Sequence, residues 1–204
     1  MLIFPPEWVP TAPYLALPSL TAVLRKNGIP VVQKDVNVEA FDHFFSREFL
    51  QFIKGRITEQ LKALRAKERE GTATLDERKL KKLLKQFYYL DLEYHIGKVL
   101  RAKEIMRSEE FYNVDKCEWA LNAFREIMDY ISVAYFPASI NFYPVESNLN
   151  VYRPWVSEDL LKAPEDTKVN IYVDLCKQLV FPEIDKERPD VVGISIGTPI
   201  QLMS

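Results

Sequence analysis

Two polar residues follow a short run of β-branched residues, where a strand end would present them to a ligand. Asp35 and Asn37 flank Val36 at the end of the segment Ile29–Val36. A carboxylate and an amide at such a position can bind a hydroxyl or amide group of a ligand. The same residue types also cap the first turn of a following helix, so both interpretations stay open.

Side chains suited to hydrolytic catalysis are few and do not form a known motif. The histidines His43 and His95 are not near a G-x-S-x-G sequence, and both are interpreted as packed or half-exposed rings. Cys117 and Cys176 are far apart in sequence, and both are interpreted as small buried or boundary residues rather than reactive thiols. The sequence therefore predicts neither a catalytic triad nor a metal-binding cluster, and it predicts no disulfide framework.

Glycine-rich phosphate-binding turns are also missing from the sequence. No G-x-G-x-x-G follows the first apolar run, Leu2–Phe4, and no G-x-x-x-x-G-K-[ST] occurs. Such turns let the backbone N–H groups approach a pyrophosphate or triphosphate. Their absence disfavours a dinucleotide-binding or an ATP-binding protein.

The first part of the chain has the pattern of a βαβ unit. Leu2–Phe4 is an apolar run that ends at Pro5-Pro6, where the backbone cannot continue a hydrogen-bonded ladder. Apolar residues then recur at helical spacing from Leu15 to the glycine stop at Gly28, and a strand is predicted over Ile29–Val36. This order of elements, with a right-handed crossover, predicts a parallel sheet.

The middle of the chain, residues 39–186, is predicted to be a large helical insertion. Thr74 resembles a helix cap, and the apolar positions that follow it predict a long helix through Ile105. Further helices are predicted over Asp115–Ala134 and Ile171–Ile184.

A proline- and aromatic-rich stretch, Phe136–Trp155, is predicted to be an ordered loop. Val191–Ile196 is nearly all apolar, so a core strand covered on both faces is predicted there. Only Gly197–Ser204 follow it, too few for another crossover, so we expect an incomplete sheet.

The fold class predicted is α/β, with residues 1–38 and 187–204 forming a partial sheet domain. Ligands of open parallel sheets bind beyond the carboxyl ends of the strands. Three loops follow those ends, so we expect the loops to lie together and to form a candidate cofactor-binding site. Its residues are Pro5, Pro6, Trp8, Pro13, Tyr14, Asp35, Asn37, Ser195, Gly197, Thr198 and Pro199.

Several segments, in this order and spacing, resemble one family, the cobalamin-binding radical S-adenosylmethionine enzymes. They are Phe4–Trp8, Pro13–Leu20, Gly28, Asp35–Asn37 and Pro189–Ser195. The resemblance covers roughly the first 40 and last 20 residues. It implies a flavodoxin-like (Rossmann-like) cobalamin-binding domain, here with an enlarged helical insertion, in which the three loops line the upper face of the corrin ring.

The resemblance also implies what this chain lacks. The C-x-x-x-C-x-x-C motif of the family is absent, so the [4Fe-4S] cluster and S-adenosylmethionine would belong to missing sequence, and these residues would be catalytically inert. The D-x-H-x-x-G motif is absent too, so no histidine ligand to cobalt is expected from His43 or His95. The parent protein would be a methyltransferase or a related radical enzyme.

Two other functions stay open. One is a helical interaction module in which aromatic residues dock a partner and the sheet is only a support, its rings being Phe87, Tyr88, Tyr89, Trp119 and Trp155. The other is an α/β domain for a nucleotide-like ligand such as S-adenosylmethionine itself.

The formal net charge of -2 gives no reason to expect nucleic acid or a membrane as a partner. No secretory leader or spanning apolar segment is visible, which predicts a cytoplasmic protein. An incomplete sheet would expose an edge strand, so self-association through that edge is also predicted.

Overall fold

A computed structural model gives the fold and describes residues 1–10, 12, 14–141 and 149–204. The chain divides into two compact units. One comprises Met1–Asp42 with Phe142–Ser204 and is called the sheet unit below; the other, His43–Asn141, is called the helical unit. This division differs from the predicted insertion over 39–186, because the helices between residues 157 and 187 belong to the sheet unit.

The sheet has three short parallel strands in the order β2-β1-β3. They are β1 (Leu2–Phe4), β2 (Gln33–Asp35) and β3 (Gly193–Ile194). In the ladder, Leu2 is opposite Gln33 on one side and opposite Gly193 on the other. The protein is therefore an α/β protein, mostly helical, and the predicted parallel pairing is confirmed.

Helix α1 (Ala16–Lys26) connects β1 to β2 and follows the predicted bounds closely. Leu17 and Thr21, one turn apart, are its buried residues. Gly28 adopts a positive φ of 74° just after the helix, a conformation that glycine adopts at little cost. The chain then reaches β2 and enters α2 (Val36–Phe44).

The helical unit consists mainly of α3 (Arg47–Arg69), α4 (Leu75–Tyr88), α5 (Leu92–Met106) and α6 (Val114–Ala134). Helix α5 packs along α6, and α3 packs against α4 and α6. Each helix begins at a side-chain cap, for example Ser46, whose hydroxyl accepts a hydrogen bond from the Phe49 N–H at 3.2 Å. Buried positions recur at helical spacing, as in Ile53, Ile57, Leu61 and Leu64 of α3.

The long helix predicted from Thr74 through Ile105 is wrong in one respect. The structure has two helices, α4 and α5, separated at Tyr89–Asp91. Asp91 starts the second one, because its carboxylate accepts the Tyr94 N–H at 3.2 Å. A capping aspartate inside an otherwise periodic pattern is the signal that marks this break.

The sheet unit continues with α7 (Ser157–Lys162), α8 (Ile171–Leu175) and α9 (Phe181–Glu187). A π-helical turn, Cys176–Val180, joins the last two, so the predicted helix over Ile171–Ile184 is found and extends to Glu187. A short 3-10 helix (Pro199–Met203) follows β3. Part of the predicted loop Phe136–Trp155, residues 142–148, lies outside the described residues.

Two strand predictions need correction. Strand β2 occupies only Gln33–Asp35 rather than Ile29–Val36, because α2 already begins at Val36. Strand β3 occupies only Gly193–Ile194, because its ladder partner β1 ends at Pro5-Pro6.

The prediction that the last strand is covered on both faces is also wrong. Val191 is 73% exposed and Ile194 is 61% exposed. The physical reason is that strand side chains point to the faces of the sheet, and the described elements do not cover the faces at these two residues.

Among the helices that the structure describes, none has both the length and the apolar composition that a membrane crossing requires.

Candidate cofactor-binding site

The three predicted loops meet at the carboxyl edge of the sheet. Because β1 is the central strand and all three strands are parallel, the loop after β1 lies between the ends of β2 and β3. The structure thus brings together ten of the predicted residues, whereas Pro13 lies outside the described residues. The ten are Pro5, Pro6, Trp8, Tyr14, Asp35, Asn37, Ser195, Gly197, Thr198 and Pro199.

An aromatic cluster shapes the loop after β1. The ring of Phe4 stacks on the ring of Tyr14 with 4.2 Å between centroids, and Trp8 meets both rings edge-on. Aromatic pairs of this kind add about 0.5–1.5 kcal/mol beyond the burial of their area. The indole N–H of Trp8 donates to the Ala12 carbonyl at 2.9 Å. The cluster holds the half-buried Trp8 and Tyr14 in fixed positions at the sheet edge.

Asp35 and Asn37 both form intramolecular hydrogen bonds. The Asp35 carboxylate accepts the Val38 N–H at 3.1 Å, which is the helix-capping interaction that the sequence left open. The Asn37 side-chain oxygen, Oδ1, accepts the Trp8 backbone N–H at 3.0 Å, and Asn37 is buried. Asn37 therefore links the loop after β1 to the start of α2.

Gln201, which was not predicted as a site residue, joins the loops after β1 and β3. Its buried side-chain oxygen accepts the N–H groups of Gly197 at 2.7 Å and Thr198 at 3.2 Å, and its amide N–H donates to the Pro5 carbonyl at 2.9 Å. The sequence signal was available, because Thr198, Pro199 and Gln201 have the spacing of a helix start with proline in its first turn.

The loop after β3 places its small residues against the aromatic cluster. The Ser195 N–H donates to the Ile3 carbonyl at 2.9 Å, continuing the ladder past β3. A Cβ added at Gly197 would lie 3.1 Å from Tyr14 Cε2, so the backbone approaches the ring closely there. The Thr198 hydroxyl is buried without a hydrogen-bond partner among the described residues, and Pro199 is exposed.

Glu7 has the least expected conformation in the site. Its φ is 66°, in the left-handed region, and its side chain is only 4% exposed. The Tyr172 hydroxyl donates to its carboxylate at 3.4 Å. A positive φ at a non-glycine residue costs of the order of 1–3 kcal/mol and persists only where surrounding contacts impose it. No local sequence signal predicts it.

The histidines and cysteines lie elsewhere. The rings of His43 and Phe49 are in contact, with 4.8 Å between their centroids. His95 Nδ1 lies 3.6 Å from the Glu126 carboxylate. Burial raises the pKa of the Cys176 thiol, which lowers its reactivity. Within the part of the chain that the structure describes, no three His, Cys, Asp or Glu side chains are arranged to hold a metal ion.

A cavity of about 670 Å³ lies at the opposite, amino edge of the sheet. Its walls include Leu24, Ile29 and Val31, and the N-terminal amine beside it donates to the Val191 carbonyl at 2.8 Å. The cavity residues precede the strands, whereas the predicted site residues follow them. The two edges are therefore separate candidate locations for a ligand.

The aromatic rings of the predicted interaction module are divided between the two units. The rings of Tyr88 and Tyr89 are in contact, with 5.2 Å between their centroids. Phe87 is half-buried, and its ring centroid lies 6.2 Å from that of Tyr130. Trp119 belongs to the helical unit and Trp155 to the sheet unit.

Comparison with known proteins does not assign this chain to a family. No family model matches the sequence, no curated protein matches it with significance, and no solved structure matches its fold with significance. The fold itself defines the class, an α/β protein with a three-stranded parallel sheet.

Proposed function

We propose that the carboxyl edge of the sheet is one wall of a corrinoid-binding site in a flavodoxin-like domain. The observation that carries the proposal is the meeting of the loops after β1, β2 and β3 at one edge, where Asn37 and Gln201 tie them together. Open parallel sheets bind ligands at this edge. The sequence resemblance to cobalamin-binding radical S-adenosylmethionine enzymes supplies the ligand class.

The residues present at the edge fit a flat and largely apolar ligand face. Trp8, Gly197 and Pro199 offer accessible apolar surface. The polar groups of Asp35, Asn37 and Gln201 are bound within the loops, so they keep the wall rigid. Rigid, pre-formed apolar walls with few free polar groups are typical of cofactor sites.

Thr198 supplies one polar group for orientation of the ligand. The Thr198 hydroxyl has no partner among the described residues, and rotation of its side chain would let it bond a peripheral amide of a corrin. A bound corrinoid supplies cobalt chemistry such as methyl transfer. In this proposal, the residues of this chain bind and orient one face of the ring.

The test is corrinoid binding by the whole chain and by two matched variants. Pro199→Glu places a charge on the apolar wall at an exposed helix start, where glutamate is tolerated. Pro30→Glu places the same charge at the exposed amino edge. We expect hydroxocobalamin to co-elute with the wild type and with Pro30→Glu, and to bind Pro199→Glu at least tenfold more weakly.

The proposal fails if all three proteins bind equally, or if none does. Preferential binding of S-adenosylmethionine in the same experiment would instead support the nucleotide-like ligand.

A further inference from the structure

A second concave surface lies entirely within the helical unit, between α4, α6 and the segment that follows α6. This cleft, of about 330 Å³, is called the α4–α6 cleft here. Leu83 and Phe87 line it from α4, Val133 and Asp129 line it from α6, and Phe136 forms part of its rim. The walls are therefore mostly apolar, with one carboxylate.

The cleft wall after α6 is fixed by hydrogen bonds. The Ser132 hydroxyl donates to the Met128 carbonyl at 2.7 Å and accepts the Ile140 N–H at 2.8 Å. The Ala138 N–H donates to the Tyr135 carbonyl at 3.0 Å. These bonds hold the segment from Phe136 to Ile140 against the end of α6, so the cleft is pre-formed.

Some carboxylates of the helical unit form ion pairs, whereas Asp129 does not form one within the described residues. Glu126 pairs with Lys98 at 2.5 Å, and Glu110 pairs with Arg101 and Lys116 at 2.7 Å. Asp129 has no hydrogen bond or ion pair within the described part of the chain, and its side chain remains accessible. Partial burial, followed by the charge of Glu126, raises the pKa of Asp129. The exposed carboxylate is therefore available to a ligand.

From this geometry, we infer that the α4–α6 cleft binds a primary alkylammonium group. The ammonium would lie at the Asp129 carboxylate, and the alkyl chain would pack against Phe87, Val133 and Phe136. An ammonium group near an aromatic face gains a cation–π attraction of about 0.5–1 kcal/mol at exposed sites. The group can come from a free amine or from a lysine side chain, and the experiment separates these sources.

The experiment titrates the full chain with n-butylammonium and with the neutral n-butanol, and follows the binding by NMR. We expect the cation to bind about three- to fivefold more tightly than the alcohol, as a partly exposed ion pair allows. Asp129→Asn should abolish this preference. Glu118→Gln, an exposed charge change on the same helix, should retain it. Phe136→Ala, at an exposed position, should weaken both ligands.

The peptide acetyl-Gly-Lys-Gly-amide identifies the source of the ammonium group. Binding at least tenfold tighter than n-butylammonium indicates a lysine of a protein partner, whereas equal or weaker binding indicates a free amine. The inference is overturned if n-butylammonium and n-butanol bind the wild type equally, if neither binds, or if Asp129→Asn keeps the preference.

Discussion

At the residue scale, the hydrogen bonds of Gln201 hold the loops after β1 and β3 together, and a substitution of Gln201 tests their contribution. Gln201→Leu keeps the size of the side chain but removes three hydrogen bonds, and it leaves the N–H groups of Gly197 and Thr198 without their acceptor. Buried polar groups without partners cost about 1–3 kcal/mol, so the free energy of unfolding should fall by about 2 kcal/mol. Urea denaturation measures it.

Gln86→Leu is the matched control, because Gln86 is exposed on α4. Equal urea midpoints for the two variants would show that Gln201 does not stabilise the loops.

Asp129 gives a pH-dependent prediction. Burial, followed by the charge of Glu126, raises the pKa of Asp129 in the folded protein above its ordinary value. When the folded state raises a carboxyl pKa, the protonated carboxyl adds to the free energy of unfolding. This contribution is full below the pKa of the unfolded state and is lost as the pH rises through the pKa of the folded state. Asp129→Asn should therefore be more stable than the wild type at pH 7, by a few tenths of a kcal/mol at this partly exposed position.

This advantage should shrink as the pH falls towards 3. Urea midpoints across pH 3–7 measure it, with Glu118→Gln as the control for the change in net charge. A wild type that is more stable than Asp129→Asn at pH 7 would contradict the prediction.

At the element scale, α4 begins with a reciprocal cap. The Thr74 hydroxyl accepts the Glu77 N–H at 3.2 Å, and the Glu77 carboxylate accepts the Thr74 N–H at 2.9 Å. Thr74→Ala should lower the free energy of unfolding by about 1 kcal/mol. Glu77→Gln keeps a side-chain acceptor at the same position and should cost less. Thermal unfolding followed by circular dichroism distinguishes the two, and a reversed order would be inconsistent with the cap.

The elements show which sequence signals were sufficient. Strand β1 ends where predicted, because Pro5-Pro6 cannot continue the ladder, and the Thr74 cap is where the sequence places it. The break before Asp91 was missed, because the apolar period continues across it. The exposure of Ile194 was also missed, since an apolar run does not reveal whether another element covers it.

The candidate site was predictable in its location rather than in its internal bonding. Parallel strands bring their carboxyl ends to one edge, so the loops could be grouped from the sequence. The bonds of Gln201 to both loops depend on a long-range meeting of residues 5 and 201, and the positive φ of Glu7 depends on tertiary contacts. Neither has a strong local pattern.

At the scale of the whole molecule, we predict that the exposed edge of β3 mediates self-association. Val191, just before β3, and Ile194, within it, are mostly exposed, and among the described residues β3 pairs only with β1. Apolar edge strands pair with other chains, so the protein should form dimers or larger species as its concentration rises. Light scattering over a concentration series measures this.

Ile194→Lys should shift the population towards the monomer, because a charged side chain on an edge strand opposes pairing with another chain. A wild type that stays monomeric at every concentration would contradict the proposed edge pairing.

The most direct test of the central proposal is hydrogen exchange of the whole chain with and without hydroxocobalamin. The two edges of the sheet are separate, so the location of protection is decisive. The proposal predicts slower exchange in residues 8–10 and 195–200, at the carboxyl edge, and unchanged exchange in residues 29–33. Protection confined to residues 29–33, beside the 670 Å³ cavity, or no protection anywhere, would contradict it.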